Sequence, residues 1–231
     1  ASDVYKRQVM TQATGFAYEV VVVMDQKDWK GPAGEAIKSE LASSVPGLPQ
    51  AEPSLKITYV QPKDFTGLLR YVRNILVVTI DPTAYTKVSV GYENNVWARG
   101  QVVVSLKAPN TESIVEYSKT HEKALVDFFV KVEMNRAIEQ LQKEYSMVVM
   151  DNLKSDLNVM LNAPANFTYY KDTTDFFWSS NNANTGRMDL IVYTFPYTDP
   201  NTFTEEYLVA KRDSVLTVSY THLTLPTICS V

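Results

Sequence analysis

The sequence predicts an α+β protein of two β-rich halves, with mixed and antiparallel strands packed against helices and a long central helix linking them. Three observations carry that expectation. Residues 120–157, THEKALVDFFVKVEMNRAIEQLQKEYSMVVMDNLKSDL, set Leu125, Phe128, Phe129, Val132, Ile138, Leu141, Tyr145, Val149 and Leu153 at three- and four-residue spacings, the period of a buried helix face. Before that run, β-branched stretches alternate with helix-like ones, the order of β-α-β units. After Pro164, short strands follow one another through Asn- and Gly-rich turns, the order of an antiparallel meander.

Taken in order, residues 17–24 (AYEVVVVM) form a strand buried on both faces, because nearly every side chain is apolar and β-branched. The stretch DQKDWKGPAGEAIKSELAS becomes helical at Gly31-Pro32, with Ala36, Ile37 and Leu41 on one stripe. Pro46, Pro49 and Pro53 keep the next segment out of helix interior and central strand. A strand over 54–60 and a short helix over 62–72 follow, the helix turning Phe65, Leu68, Leu69 and Val72 to one side. Residues 73–81 are a second apolar strand, stopped by Pro82, and 86–94 and 100–108 are two more. Asn110 caps a helix reaching about Lys119.

An unbroken central helix would be about 55 Å long at about 1.5 Å per residue. That exceeds a domain of this size, so a break is expected at Val148-Val149 or Asn152, the poorest helix formers in the run. The stripe through Phe128, Ile138 and Leu141 is expected in the core, and residues 149–157 are expected to be partly uncovered if the second half lacks strands. Strands over 166–172, 175–181 and 187–197 come next. A closing helix is capped by Thr202 with Glu205 three residues on, and turns Tyr207, Leu208, Lys211 and Val215 inward.

Composition excludes more than it assigns. The net charge of -4 has no basic block, which argues against a nucleic-acid-binding face. No apolar run approaches the roughly 20 residues of a membrane-spanning helix. There is no G-x-S-x-G elbow, no phosphate-binding G-x-x-x-x-G-K-[ST] and no G-x-G-x-x-G after a strand.

Two end segments, ASDVYKRQ (1–8) and SYTHLTLPTICSV (219–231), resemble translated adapter sequence and are set aside as non-native tails. Cys229 and His222 go with them. The remaining His121 sits among Lys119, Glu122 and Lys123, a solvated setting, so no metal or cofactor site is predicted. The organisation expected is then 9–119 as a first α/β half, 120–157 as the central helix and 158–218 as a second β-rich half with its closing helix. The true protein is expected to continue beyond both ends.

Carboxylates are the catalytic candidates that remain. Asp25 and Asp28 follow the first buried strand beside Trp29, and Asp81 ends the other apolar strand. If those strands are parallel neighbours, the three meet where open sheets bind ligands, beyond the carboxyl ends. Glycoside hydrolysis needs two carboxylates at a set separation; the everyday use of such residues is capping turns and helices. Among the aromatics, Tyr169, Tyr170, Phe176, Phe177, Trp178, Tyr193, Phe195 and Tyr197 serve either as core or as the lining of a carbohydrate or peptide groove. Strand alternation puts Phe177 on one face and Phe176 with Trp178 on the other.

Six phrases, YEVVVVMDQKDWKGPAGEAI, VPGLPQAEPSLKI, RNILVVTIDP, DFFWSSN, FPYTDPNTFT and KRDSV, together resemble the Bacteroidetes lipoprotein family known as domain of unknown function 4837. The resemblance spans nearly everything between the two tails. It implies a cell-envelope lipoprotein whose signal peptide and lipidated Cys precede this chain, and which continues past KRDSV. It assigns no catalytic or ligand residues. The expected role is non-enzymatic, binding or structural, with an envelope protein or glycan as partner and the membrane reached only through the lipid anchor. The alternative is a carboxylate-dependent hydrolase of a cell-envelope polymer, built on Asp25, Asp28 and Asp81.

Overall fold

The computed structural model describes residues 10–48 and 50–223. The expected tail 1–8 lies outside the described residues, as does Cys229 with the rest of 224–231. The chain folds as two compact units, one running to Ala137 and the other starting at Ile138. It is an α+β protein, with a mixed five-stranded sheet in the first unit and an antiparallel three-stranded sheet in the second.

The first sheet has the order β2-β1-β3-β5-β4, made of β1 (Glu19–Val23), β2 (Lys56–Val60), β3 (Asn74–Ile80), β4 (Ser89–Asn94) and β5 (Val102–Ala108). β1 lies parallel to β2 on one side and to β3 on the other, β3 is parallel to β5, and only the edge strand β4 is antiparallel. The all-apolar reading of β1 follows from this central position, since both its faces are covered. Val20, Val22, Leu76, Val104 and Leu106 face α2 (Pro32–Leu41), α3 (Thr111–Thr120) and α4 (Ala124–Lys143), which supply Ile37, Leu41, Ile114, Leu125 and Phe129. Burying Ile37 and Leu41 completely stabilises the fold by about 1.5–3 kcal/mol each. On the other face Val21, Val23, Ile75 and Val103 are covered by Phe65, Leu69, Val72 and Trp97.

The segment expected as a helix over 62–72 is instead two 3₁₀ turns, Pro62–Asp64 and Gly67–Tyr71. Gly67 at φ +55° is left-handed, which interrupts helical winding, and Leu68 is left 84% exposed.

The run expected as a single central helix is two. α4 ends at Lys143, and α5 (Met147–Leu157) begins after Ser146, whose Oγ accepts from Val149 N at 3.3 Å and donates to Phe167 O at 2.6 Å. The break therefore sits at an N-cap serine. Val148 and Val149 are within α5, as is Asn152, whose side chain donates back to Val148 O at 2.7 Å. The core expectation holds in part: Phe128 packs against the first core and Leu141 is half-buried, but Ile138 is not covered. Ile138 is 50% exposed, whereas Val149 and Leu153 are fully buried against Ala163, Phe167 and Phe177.

In the second unit β6 (Tyr169–Thr173), β7 (Phe176–Ser180) and β8 (Asp189–Tyr193) form the expected meander. α6 (Glu205–Leu223) closes it. Thr204, not Thr202, precedes the first turn and accepts from Tyr207 N at 3.4 Å; Thr202 is buried and donates to Asp199 O at 2.6 Å, closing the turn before the helix.

Candidate functional site

β1 and β3 are parallel neighbours, and their outgoing connections diverge, one toward β2 and the other toward β4 and β5. Asp25 and Asp81 thus follow two carboxyl ends at a topological switch point, the place where open sheets bind ligands. Both carboxylates nonetheless have local work. Asp25 caps the short helix α1 (Gln26–Trp29) by accepting from Lys27 N at 2.9 Å, and Asp28 lies in that helix's first turn. Asp81 accepts from Thr83 Oγ1 at 2.7 Å, Thr83 N at 2.8 Å and Ala84 N at 3.2 Å. The Thr83 hydroxyl and then these amides hold the Asp81 carboxyl below the usual range, so it is ionised at neutral pH and is not a proton donor.

Two buried carboxylates that the sequence reading passed over are also structural. Glu133 of α4 takes Arg136 Nη1 at 2.6 Å, Arg73 Nε at 3.2 Å and Asn74 Nδ2 at 2.7 Å. Arg136 in turn donates to the carbonyls of Arg73 and Gly100. This cluster fastens α4 to the amino ends of β3 and β5.

Glu40 of α2 accepts from Leu125 N at 2.7 Å, capping the start of α4 from 85 positions away. Its Oε2 and the Ser118 hydroxyl are both buried, and among the described residues neither makes a hydrogen bond of ordinary geometry. Burial pushes the Glu40 pKa up, against the lowering by the Leu125 amide and by the Ser118 hydroxyl, which lies close enough to act on it. A carboxyl raised in the folded state contributes most below its unfolded value, and that contribution is lost as pH rises through the folded value. Glu40→Gln keeps the acceptor for Leu125 and adds a donor within the pocket. The difference in urea midpoint, variant minus wild type, is expected to grow as pH goes from about 4 to 7. A difference that stays flat would remove the buried-carboxylate explanation.

The second unit holds a cleft of about 500 Å³, between α6 and the sheet face turned away from Phe177. Its floor is Phe176 and Tyr193, which stand directly opposite in register, with Phe195 beside them. Lys171 and Thr173 of β6 line one wall, Lys211, Ser214 and Val215 of α6 the other. Such a volume matches small-ligand sites, which run from about 300 to 1,000 Å³. The predicted alternation holds: Phe177 is 1% exposed in the core, and Phe176 lies on the opposite face. Trp178 shares that face and donates from Nε1 to Asp189 Oδ1 at 3.1 Å. Tyr169, Tyr170 and Tyr197 are exposed outside the cleft lining. Lys211 and Val215 turn inward as the helical spacing indicates, and Arg212 pairs with Asp213 at 2.9 Å. Lys171 had no sequence signal, because a lysine in a charged strand reads as solvated.

Among the described residues no three His, Cys, Asp or Glu side chains converge as a metal site, and no helix is long and apolar enough to cross a membrane. No curated protein and no solved structure matches the chain. Two family models do. Residues 146–222 match Domain of unknown function (DUF4837), a span that contains the whole cleft. The phrases YEVVVVMDQKDWKGPAGEAI to RNILVVTIDP fall instead in the match to a second model, over residues 13–142. That second match covers more than half of the sequence and all five strands of the first sheet, and by it the chain belongs to the family Domain of unknown function (DUF8532).

Proposed function

We propose that the chain is a non-enzymatic binding domain of a Bacteroidetes cell-envelope lipoprotein, anchored through a lipidated segment outside this sequence, and that the cleft of the second unit takes a glycan of the envelope. The observation that carries this is the cleft's construction. Phe176 and Tyr193 offer aromatic surface on which the C–H face of a sugar stacks, with Phe195 beside them holding Lys211. Thr173, Thr194 and Ser214 set hydroxyls around them for the sugar's own hydroxyls. The match of residues 146–222 to the family expected from sequence supports the lipoprotein context. An envelope protein is the other partner class, favoured if a glycan titration gives no shifts.

The test titrates the full chain with soluble peptidoglycan fragments and follows backbone amide shifts. Shifts confined to β6–β8 and α6 are expected, with Phe176→Ala weakening binding by about ten-fold, the scale of one lost stacking contact plus its buried area. Fragments should be recovered unchanged by mass spectrometry. Absence of shifts would sink the glycan reading. Cleaved fragments, with cleavage lost in Asp25→Asn/Asp81→Asn, would establish the hydrolase instead.

A further inference from the structure

We infer that the sugar this cleft selects carries a carboxylate, a deeper reading that rests on the glycan proposal above. Lys171 and Lys211 stand on opposite walls, one from β6 and one from α6. Among the described residues neither ammonium has a carboxylate partner. Of the acids on these elements, Asp213 pairs with Arg212, Asp189 with Arg187 and Asp172 is hydrogen-bonded to Asp156, while Asp175 within the lining accepts from the Thr194 hydroxyl at 3.4 Å. Asp175 is the one acidic residue in the lining, so two cations face one anion across a largely apolar floor.

Lys211 is half-buried, with its Nζ 4.7 Å from the Phe195 ring centroid. A ring face holds an ammonium in place without neutralising it, which leaves its donors aimed for an anion. Charge-assisted hydrogen bonds from a partly desolvated lysine are about twice as strong as neutral ones. A ring that stacks on Phe176 and Tyr193 while presenting a carboxylate to either wall satisfies both the apolar and the cationic lining. A neutral sugar satisfies only the first. The hydroxyl-bearing rim of Thr173, Thr194 and Ser214 favours a sugar over an acyl chain, which would leave those groups without new partners.

The experiment compares tetragalacturonate with its fully methyl-esterified form by calorimetry on the full chain; the two share a backbone and differ in charge. The acid is expected to bind about ten-fold or more tightly at low salt, with that advantage shrinking as salt rises. Lys211→Met, which keeps an apolar stem against Phe195, should reduce the preference, and Lys171→Met, at an exposed strand position, provides a second variant that leaves packing alone. Ester binding should fall by less than acid binding in both, so that the acid-to-ester ratio moves toward one. Equal binding of acid and ester, both abolished by Phe176→Ala, would overturn the carboxylate inference while leaving the glycan cleft standing. An acid preference indifferent to both lysine variants would also overturn it. If neither saccharide binds and dodecanoate does, the sugar reading and the inference fall together.

Discussion

Replacing Glu133 with alanine is expected to cost about 3 kcal/mol of stability, the low end of the range for breaking a buried ion pair. The Glu133 side chain is 1% exposed and receives two guanidinium groups and one amide, so its removal leaves Arg73, Arg136 and Asn74 without their shared acceptor. Two features keep the loss from being larger. The Arg73 and Arg136 side chains are 26% and 20% exposed and can rehydrate, and Arg136 retains the carbonyls of Arg73 and Gly100 together with Asn74 Oδ1. Asn74 Nδ2 likewise keeps Glu19 O at 2.9 Å.

Glu133→Gln keeps an acceptor but not the charge, so stability should fall in the order wild type, Gln, Ala, measured as urea midpoints. Because the groups act as a unit, Glu133→Ala with Arg136→Ala should cost less than the sum of the single variants. Strict additivity would mean that the ion pair contributes little and that α4 is held by its apolar face and the Glu40 cap. Amide exchange distinguishes the two cases: opening at residues 133–137 faster than at 125–129 is expected only if the cluster holds this end of the helix.

This cluster also shows where reading the sequence stops. β1, β3 and β5 announce themselves because a central parallel strand needs apolar side chains on both faces, and runs such as Val20–Val23 leave little alternative. Asn110 was legible as a cap because its partner, Ser113 N, is three residues away. The caps that were missed depend on distant chain. Glu40 caps α4 from another helix, and Ser146 is fixed as a break point by Ala163 O and Phe167 O. Glu133 gathers Arg73 and Asn74 from about 60 positions away, a separation no local pattern encodes. In the same way, alternation sorted Phe176 from Phe177, but only the placement of α6 makes Phe176 the floor of a cleft. The carboxyl-end placement of Asp25 and Asp81 was legible from strand order. Their hydrogen bonds to Lys27, Thr83 and Ala84 reflect turn geometry that the sequence leaves open.

Gly34→Ala should be strongly destabilising, against the direction that helix propensity gives. In an exposed helix interior alanine is better than glycine by about 1 kcal/mol. At Gly34 an added Cβ would lie 2.0 Å from Trp29 O, 2.5 Å from Trp29 C and 2.6 Å from its Cα. The obstacle is the backbone of α1, which cannot step aside as a side-chain tip does. Moving it disturbs the Trp29 N–H bond to Asp25 O, the stacking of Trp29 on Tyr59 at 4.7 Å, and Lys38 Nζ, 4.4 Å from the Trp29 ring centroid. Overpacking of this kind costs typically about 1–3 kcal/mol, and the rigidity of the neighbour puts this site at the upper end. The expected result is a urea midpoint shifted down by about 2–3 kcal/mol equivalent, with loss of the near-ultraviolet circular dichroism contributed by Trp29. Gly91 of the edge strand β4 is the control, since nothing lies within 4 Å of its would-be Cβ. Gly91→Ala should stay within about 0.5 kcal/mol of wild type. A neutral or stabilising Gly34→Ala would mean that α1 and α2 are not packed backbone to backbone, and that the turn carrying Asp25 and Asp28 is free to move.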